Sequence, residues 1–368
     1  MKKKFSFFKF LTITVLFFIL LDLLIGNYIY KKFIRLNFVD VDLSVGIRDK
    51  VFDHNFKSSY KTNRAGWGPI RFTICTDPNG FRTNCNNQYR NLKKFDIAFI
   101  GDSFTEPVGI NYEDSFVGII EDKLKNKKIA NLAITSYSPS IYFSKINYLI
   151  SKGFSFKEII VFLDISDIRD DTICYKLEKN IVERRKDLSC LRLEPTLNEK
   201  FWFYFKKRFR LSFELYNVIE INLYNQNIIN FPIPKKVLDN PRSNWTHNYD
   251  KTFYRNLELS ESTGIALKNM ELLSKLLKDN GIDLGVAVYP WPGTLKYDVV
   301  NNQHLKLWEN FCVLNCKKFY NLMIPFFKMK ESEGFSSLYK RVYIKNDVHF
   351  NKEGNNIIAK NFLKMYLN

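Results

Sequence analysis

From Phe95 to the end of the chain, short apolar runs alternate with longer amphipathic stretches, and that alternation leaves few folds open. The strand-like runs are Phe95 to Ile100, Ile129 to Ile134, Ile159 to Ile165, Leu284 to Tyr289 and Phe319 to Met323. Each is short and nearly continuous in apolar residues, as strands buried on both faces are. Between and after them, residues 114–125, 140–152, 262–279, 303–316 and 353–367 carry apolar positions at helical spacing. Strands alternating with helices build a parallel sheet with helices over it. The pattern therefore predicts a three-layer α/β/α, doubly wound, mostly parallel five-stranded sheet.

The first run ends in Gly101-Asp102-Ser103-Phe104-Thr105. A serine where a strand gives way to a loop sits at the rim of such a sheet, with backbone N–H groups nearby that are free to meet an anion. A second block, Asp347-Val348-His349-Phe350-Asn351, stands just before the last helical stretch. Side chains two apart on extended backbone share a side, whereas on a helix they do not. Asp347 and His349 can then face one cleft, with Asp347 orienting the imidazole, His349 acting as base and Ser103 as nucleophile. Taken alone, the second block also reads as a solvated Asp and a surface His beside a helix cap at Asn351.

The two blocks together resemble the SGNH (GDSL-type) hydrolase superfamily, over roughly Phe95 to Asn368. Family members carry Gly-Asp-Ser early and an Asp and a His near the end, most often as Asp-x-x-His. Here the acid is Asp347, two before His349, a spacing similar to the branch that O-acetylates bacterial exopolysaccharides. The resemblance implies an SGNH/flavodoxin-like sheet and an esterase or O-acyltransferase acting on acyl esters of a glycan. It further implies no cofactor, and catalytic roles for Ser103, Asp347 and His349. An oxyanion hole would be shared by Ser103, Ala133 and Ser166. Ala133 stands where the family has Gly, and a backbone N–H tolerates Ala if φ stays negative. Ser166 stands where it has Asn, and a hydroxyl can donate only one hydrogen bond. These departures keep a second reading open: a glycan-binding or assembly protein with a decayed site.

Tyr289-Pro290-Trp291-Pro292-Gly293 follows the fourth run, on the rim where ligands bind. Trp291 is placed there either to stack on a sugar ring or to cover the core from a rigid turn. Asp164, Asp167, Asp170 and Asp171 form a carboxylate cluster after the third run. No cation-loop motif accompanies them, so capping and pairing with Arg169 is the expected role, and no metal.

The N-terminus constrains location. After Met1-Lys2-Lys3-Lys4, the segment Phe5 to Tyr30 is almost wholly apolar, broken by Asp22. It is long enough for about 30 Å of hydrocarbon. No small-residue cleavage site follows, which favours an uncleaved anchor over a signal peptide. Lysines precede and follow the span, and the slight bias leans to an N-terminus inside. The expectation is an inner-membrane anchor over residues 1–35, with the catalytic domain outside the cytoplasm, in the periplasm. Residues 36–94 read as a β/turn-rich lead-in and 95–368 as the hydrolase-like domain, with an insertion at about 171–260.

The six cysteines fall in near pairs. Proximity favours Cys75 with Cys85 and Cys174 with Cys190 as disulfides, in keeping with an oxidising compartment. Cys312 and Cys316 lie one helical turn apart and could stay thiols. The net charge of +18 raises a nucleic-acid reading. The lysines are scattered and no nucleic-acid motif occurs, so the charge fits acidic glycans or anionic lipid better. The partners expected are a glycan or other acyl ester, the membrane, and an acyl-donor membrane protein. The aromatic and basic run Phe201 to Arg210 suits a membrane surface, a cap over the cleft, or a helical insertion packed on the domain.

Overall fold

The computed structural model describes residues 2–30, 42, 44–68, 70–88, 90–185, 197–213, 215–216, 219 and 232–368. They fall into two compact units. One draws on Met1–Asp40 and Arg192–Pro232, the other on Val41–Leu191 and Ile233–Asn368.

In the first unit, Phe8–Ile29 is a stretch of 22 residues long and apolar enough to cross a membrane, by length and composition. Asp22, the one acid within it, is buried. Its carboxylate accepts the backbone N–H groups of Leu211 (3.1 Å) and Ser212 (2.7 Å). Buried polar oxygens among apolar residues are kept where such donors satisfy them.

The strands of the second unit, in chain order, are β1 (Gly46–Asp49), β2 (Asp53–Phe56), β3 (Lys61–Trp67), β4 (Ile70–Thr76), β5 (Arg82–Thr83) and β6 (Lys94–Ile100). They continue with β7 (Ile129–Asn131), β8 (Ser155–Leu163), β9 (Tyr175–Glu178), β10 (Ile181–Arg184), β11 (Asp283–Val288) and β12 (Lys318–Asn321). Eight of them form one sheet in the order β12-β11-β8-β6-β7-β5-β4-β3. The five from β12 to β7 pair in parallel, and β5, β4 and β3 add on antiparallel. The five-stranded parallel sheet is therefore present, and residues of the β/turn-rich stretch before Phe95 extend it by three antiparallel strands. The join is narrow, Arg82 of β5 facing Asn131 of β7. The pairs β1–β2 and β9–β10 stand apart as two-stranded ribbons.

Numbered by appearance, the parallel strands lie in the order 2-1-3-4-5. The chain steps from β6 to β7, then back past β6 to β8. Right-handed crossovers put the two intervening helices, Phe116–Lys123 and Pro139–Ser151, on opposite faces. Phe116–Lys123 packs beside the last helix, Lys352–Leu367, and Pro139–Ser151 beside Leu259–Asp279. The central strand residues Ala98 to Ile100 and Ile159 to Leu163 are fully buried. Order reversal opens a crevice at the carboxyl ends of β6 and β8, where doubly wound sheets bind ligands.

Cys75 and Cys85 are disulfide-bonded across β4 and the turn after β5. Cys312 and Cys316, for which free thiols were open, are bonded too. The helix Gln303–Asn315 ends one residue before Cys316, whose extended backbone brings its Cα to 4.6 Å from that of Cys312. The pairing of Cys174 with Cys190 concerns Cys190, which lies outside the described residues.

Candidate active site

Ser103 comes off β6 through a passage that only glycine fits. A Cβ at Gly101 would lie 2.3 Å from Thr105 Oγ1 and 2.9 Å from the Phe162 carbonyl of the neighbouring strand. The chain then turns helically, with Glu106 N–H on the Asp102 carbonyl (2.8 Å) and Val108 N–H on the Ser103 carbonyl (3.0 Å). Arg82, buried at the sheet join, fastens this turn from outside. Its guanidinium donates to the carbonyls of Glu106, Pro107 and Ile110 at 2.7, 2.7 and 2.6 Å.

His349 arrives from the far end of the sequence on a tight return. Ile344 N–H bonds the His349 carbonyl (2.8 Å), and Asn346 takes a positive φ of 59°. The structure brings the three expected side chains together. His349 Nε2 is 2.8 Å from Ser103 Oγ, and His349 Nδ1 is 2.5 Å from Asp347 Oδ1. Ser103 and His349 are each 6 % exposed, so little water competes for this chain. Burial pushes the Asp347 carboxyl up, but the hydrogen bond and charge of His349, with help from Trp67, outweigh it and hold it below its usual value.

Trp67, which the sequence marks only as part of a Trp-Gly-Pro turn, belongs to this site. From the end of β3 its indole Nε1–H donates to Asp347 Oδ2 at 2.9 Å. Its ring meets the His349 imidazole edge-on at 4.9 Å, and Phe104 lies tilted at 4.6 Å from the same imidazole. The imidazole is thus held between two aromatic rings.

Below Ser103 sits a cluster of buried carboxylates. Asp102, Asp164 and Asp167 each place an oxygen within 4.8 Å of the others. Their oxygens are mostly taken by protein donors. Asp164 Oδ2 accepts from Trp291 Nε1 (2.7 Å) and Tyr289 (2.9 Å), and its Oδ1 from Ser166 N–H (2.7 Å). Asp167 accepts from Tyr142 at 3.0 Å. Arg242, from the insertion, acts on Asp102 by its charge and pairs with Asp170 at 2.6 Å.

Of the two roles open to Trp291 the structure shows one, and the expected oxyanion hole needs correction. Trp291 is 2 % exposed and spends its N–H on Asp164, so it covers the core and offers no face to a sugar. The oxyanion donor sought at Ala133 is occupied, and the one sought at Ser166 is buried. Ala133 N–H goes to Asn131 Oδ1 (3.1 Å), and the Asn131 amide in turn holds the Thr105 carbonyl (2.8 Å). Ser166 is fully buried, and its hydroxyl accepts from Arg242 at 3.1 Å. Asn131 was a legible signal, since an Asx side chain two residues before an N–H commonly takes it. Ser103 N–H remains without an acceptor among the described residues.

No family model matches the chain, and no curated protein matches it. Solved structures do. One is a lipolytic protein of the G-D-S-L family from Veillonella parvula, at 12 % identity and a TM-score of 0.38, covering 74 % of this chain and 98 % of that one. Another is a catalytic mutant of an acetylxylan esterase from Geobacillus stearothermophilus, at 11 %, 0.39, 74 % and 93 %. A third is a psychrotrophic esterase from Pseudoalteromonas, at 10 %, 0.35, 75 % and 97 %. In structure the chain is similar to GDSL-type (SGNH) proteins and acetylxylan esterases.

Proposed function

We propose that this protein is a serine ester hydrolase of the SGNH type. One observation carries the reading: the continuous hydrogen-bond chain from Ser103 Oγ through His349 to Asp347. Ser103 Oγ attacks the acyl carbonyl while His349 Nε2 takes its proton, and the leaving alcohol receives that proton back. Asp347 holds the imidazole with Nδ1 protonated, the tautomer in which Nε2 can accept. Ser103 N–H stabilises the developing oxyanion. Water then resolves the acyl-enzyme by the same proton route.

Transfer of the acyl group to a glycan hydroxyl is the finer form of this reading, supported by the Asp-x-His spacing. The apolar helix Phe8–Ile29 would anchor the enzyme in the membrane, where an acyl-donor membrane protein could supply it. The disulfides Cys75–Cys85 and Cys312–Cys316 support an oxidising compartment, and so a periplasmic site.

The occupied Ala133 N–H and the burial of the Ser166 hydroxyl favour a rival, a glycan-binding or assembly protein with an idle site. Lack of one oxyanion donor costs about 3–4 kcal/mol in a well-studied protease, so slow turnover is expected of the enzyme. Hydrolysis of a small acyl ester by the full-length chain in detergent decides between them. Wild-type activity that vanishes in a folded Ser103→Ala variant supports the enzyme. Equal rates in both remove Ser103 as nucleophile and favour the binding protein.

A further inference from the structure

The Ser103 hydroxyl has one proton and two neighbours that could take it. His349 Nε2 is 2.8 Å from Ser103 Oγ, and Asp102 Oδ2 is 3.1 Å away on another side. The Nδ1 proton of His349 faces Asp347, 2.5 Å distant. With a neutral imidazole, the Ser103 proton must point at Nε2 for catalysis. An ionised Asp102 would then face a serine lone pair with no proton between them. If Asp102 took the serine proton instead, Nε2 would have to carry one, and His349 could not act as base.

The surroundings of Asp102 choose between these arrangements. It is 1 % exposed and shares its pocket with Asp164 and Asp167. Donors converge on Asp164, which receives three, while Asp102 has one unshared donor, the Phe104 N–H on Oδ1 at 3.0 Å. The Tyr289 hydroxyl lies nearer Asp164 (2.9 Å) than Asp102 (3.3 Å), and it has one proton to give. Arg242 already pairs with Asp170. Tyr142, beside the same pocket, donates to Asp167.

We propose that Asp102 is carried as a neutral carboxylic acid that donates from Oδ2 to Ser103 Oγ, aiming the serine's own proton at His349 Nε2. This rests on Ser103 being the nucleophile. Asp102 is then a positioning group. In the acylation step the Oγ–carbon bond forms as the carbonyl π bond opens to an oxyanion and the serine proton moves to Nε2. The oxyanion then collapses, the ester C–O bond breaks, the alcohol leaves with the proton from Nε2, and Asp102 keeps its own proton throughout. Burial, and then the charge of Asp164, holds its carboxyl well above the usual range, which agrees. Serine esterases need a free hydroxyl proton path to the base. Here a second carboxyl group, beside that of Asp347, becomes the group that directs that proton.

The test compares full-length wild type with Asp102→Asn, Asp102→Ala and Ser103→Ala, in detergent near neutral pH. Two readouts are taken: kcat/KM on a small acyl ester, and the infrared carbonyl band of protonated carboxyl groups. An asparagine amide can donate to Ser103 Oγ and still accept from Phe104 N–H, so Asp102→Asn should stay within a few-fold of wild type. Asp102→Ala should lose about tenfold or more, the loss of one hydrogen bond at the reacting hydroxyl. The wild-type minus Asp102→Asn infrared difference should contain one protonated-carboxyl band. A folded Asp102→Asn variant falling to the Ser103→Ala background, or a difference spectrum with only a carboxylate band, overturns the proposal. If the wild type shows no esterase activity at all, the functional reading fails. The infrared readout still reports separately whether Asp102 holds a proton.

Discussion

Replacing Trp67 with Phe removes one atom group from the site and leaves nearly everything else. The ring that faces His349 edge-on stays, and the Nε1–H that donates to Asp347 Oδ2 at 2.9 Å is lost. A hydrogen bond to a charged acceptor contributes about 1.5–3 kcal/mol. The Asp347 side chain is 26 % exposed, so water can replace part of the donor, and the loss should fall near the lower end. About 1.5 kcal/mol corresponds to roughly tenfold in rate. Two effects act together: the carboxylate becomes freer to rotate, and its pKa rises because one stabilising donor is gone. Both weaken its hold on His349 Nδ1, so kcat should fall while KM changes little. Steady-state kinetics on a small ester, with circular dichroism and a melting curve as fold controls, measure this. Trp67→Leu also removes the ring and should lose more. A folded Trp67→Phe protein with kcat within twofold of wild type would refute the idea that the indole orients Asp347.

Two further outcomes follow from buried charges. Lys145 is 1 % exposed, and burial pushes its ammonium down to about 7, against the opposing charges of Asp49 and Asp77. Its unfolded value is about 10.4, so the unfolded chain binds more protons between these two and stability should rise with pH across that window. The melting temperature of wild type should climb relative to Lys145→Gln as pH goes from about 7 to 9, and parallel curves would contradict it. Arg242→Gln strips the partner from buried Asp170, paired at 2.6 Å, and should destabilise by about 3 kcal/mol in denaturant melts. Adding Asp170→Asn should restore part of that, and strictly additive losses would count against a direct pair.

The parallel strands were legible because burial on both faces leaves an almost unbroken apolar run. All five begin or end within about two residues of the expected bounds, and the larger departures have local causes. Ile129 to Ile134 was expected as a strand, yet pairing stops at Asn131, whose side chain takes the Thr105 carbonyl and the Ala133 N–H. The same side chain closes one expected oxyanion donor. The three antiparallel strands were less legible. Their pairing to β7 rests on the single facing pair Arg82 and Asn131, far apart in sequence and without a shared pattern. Ser103, Asp347 and His349 could be singled out because the proposed nucleophile, base and orienter must be particular residue types. Trp67, Arg82 and Arg242 act through geometry that no short spacing encodes.

That contrast changes where the working unit begins. The sequence places the start of the hydrolase-like domain at Phe95, on the first parallel strand. The structure attaches three functions to residues before it. Arg82 holds the carbonyls of Glu106, Pro107 and Ile110, fixing the turn that carries Ser103. Trp67 holds Asp347 and flanks His349. β5 covers the edge of β7, whose backbone would otherwise be an open sheet edge. A chain beginning at Phe95 would keep all three members of the proposed triad. It would lose the clamp on the first, the orienting donor for the second and one wall of the third. The residues of the proposed triad and the residues that hold them in place thus come from different parts of the chain, and only the first group can be read from motifs.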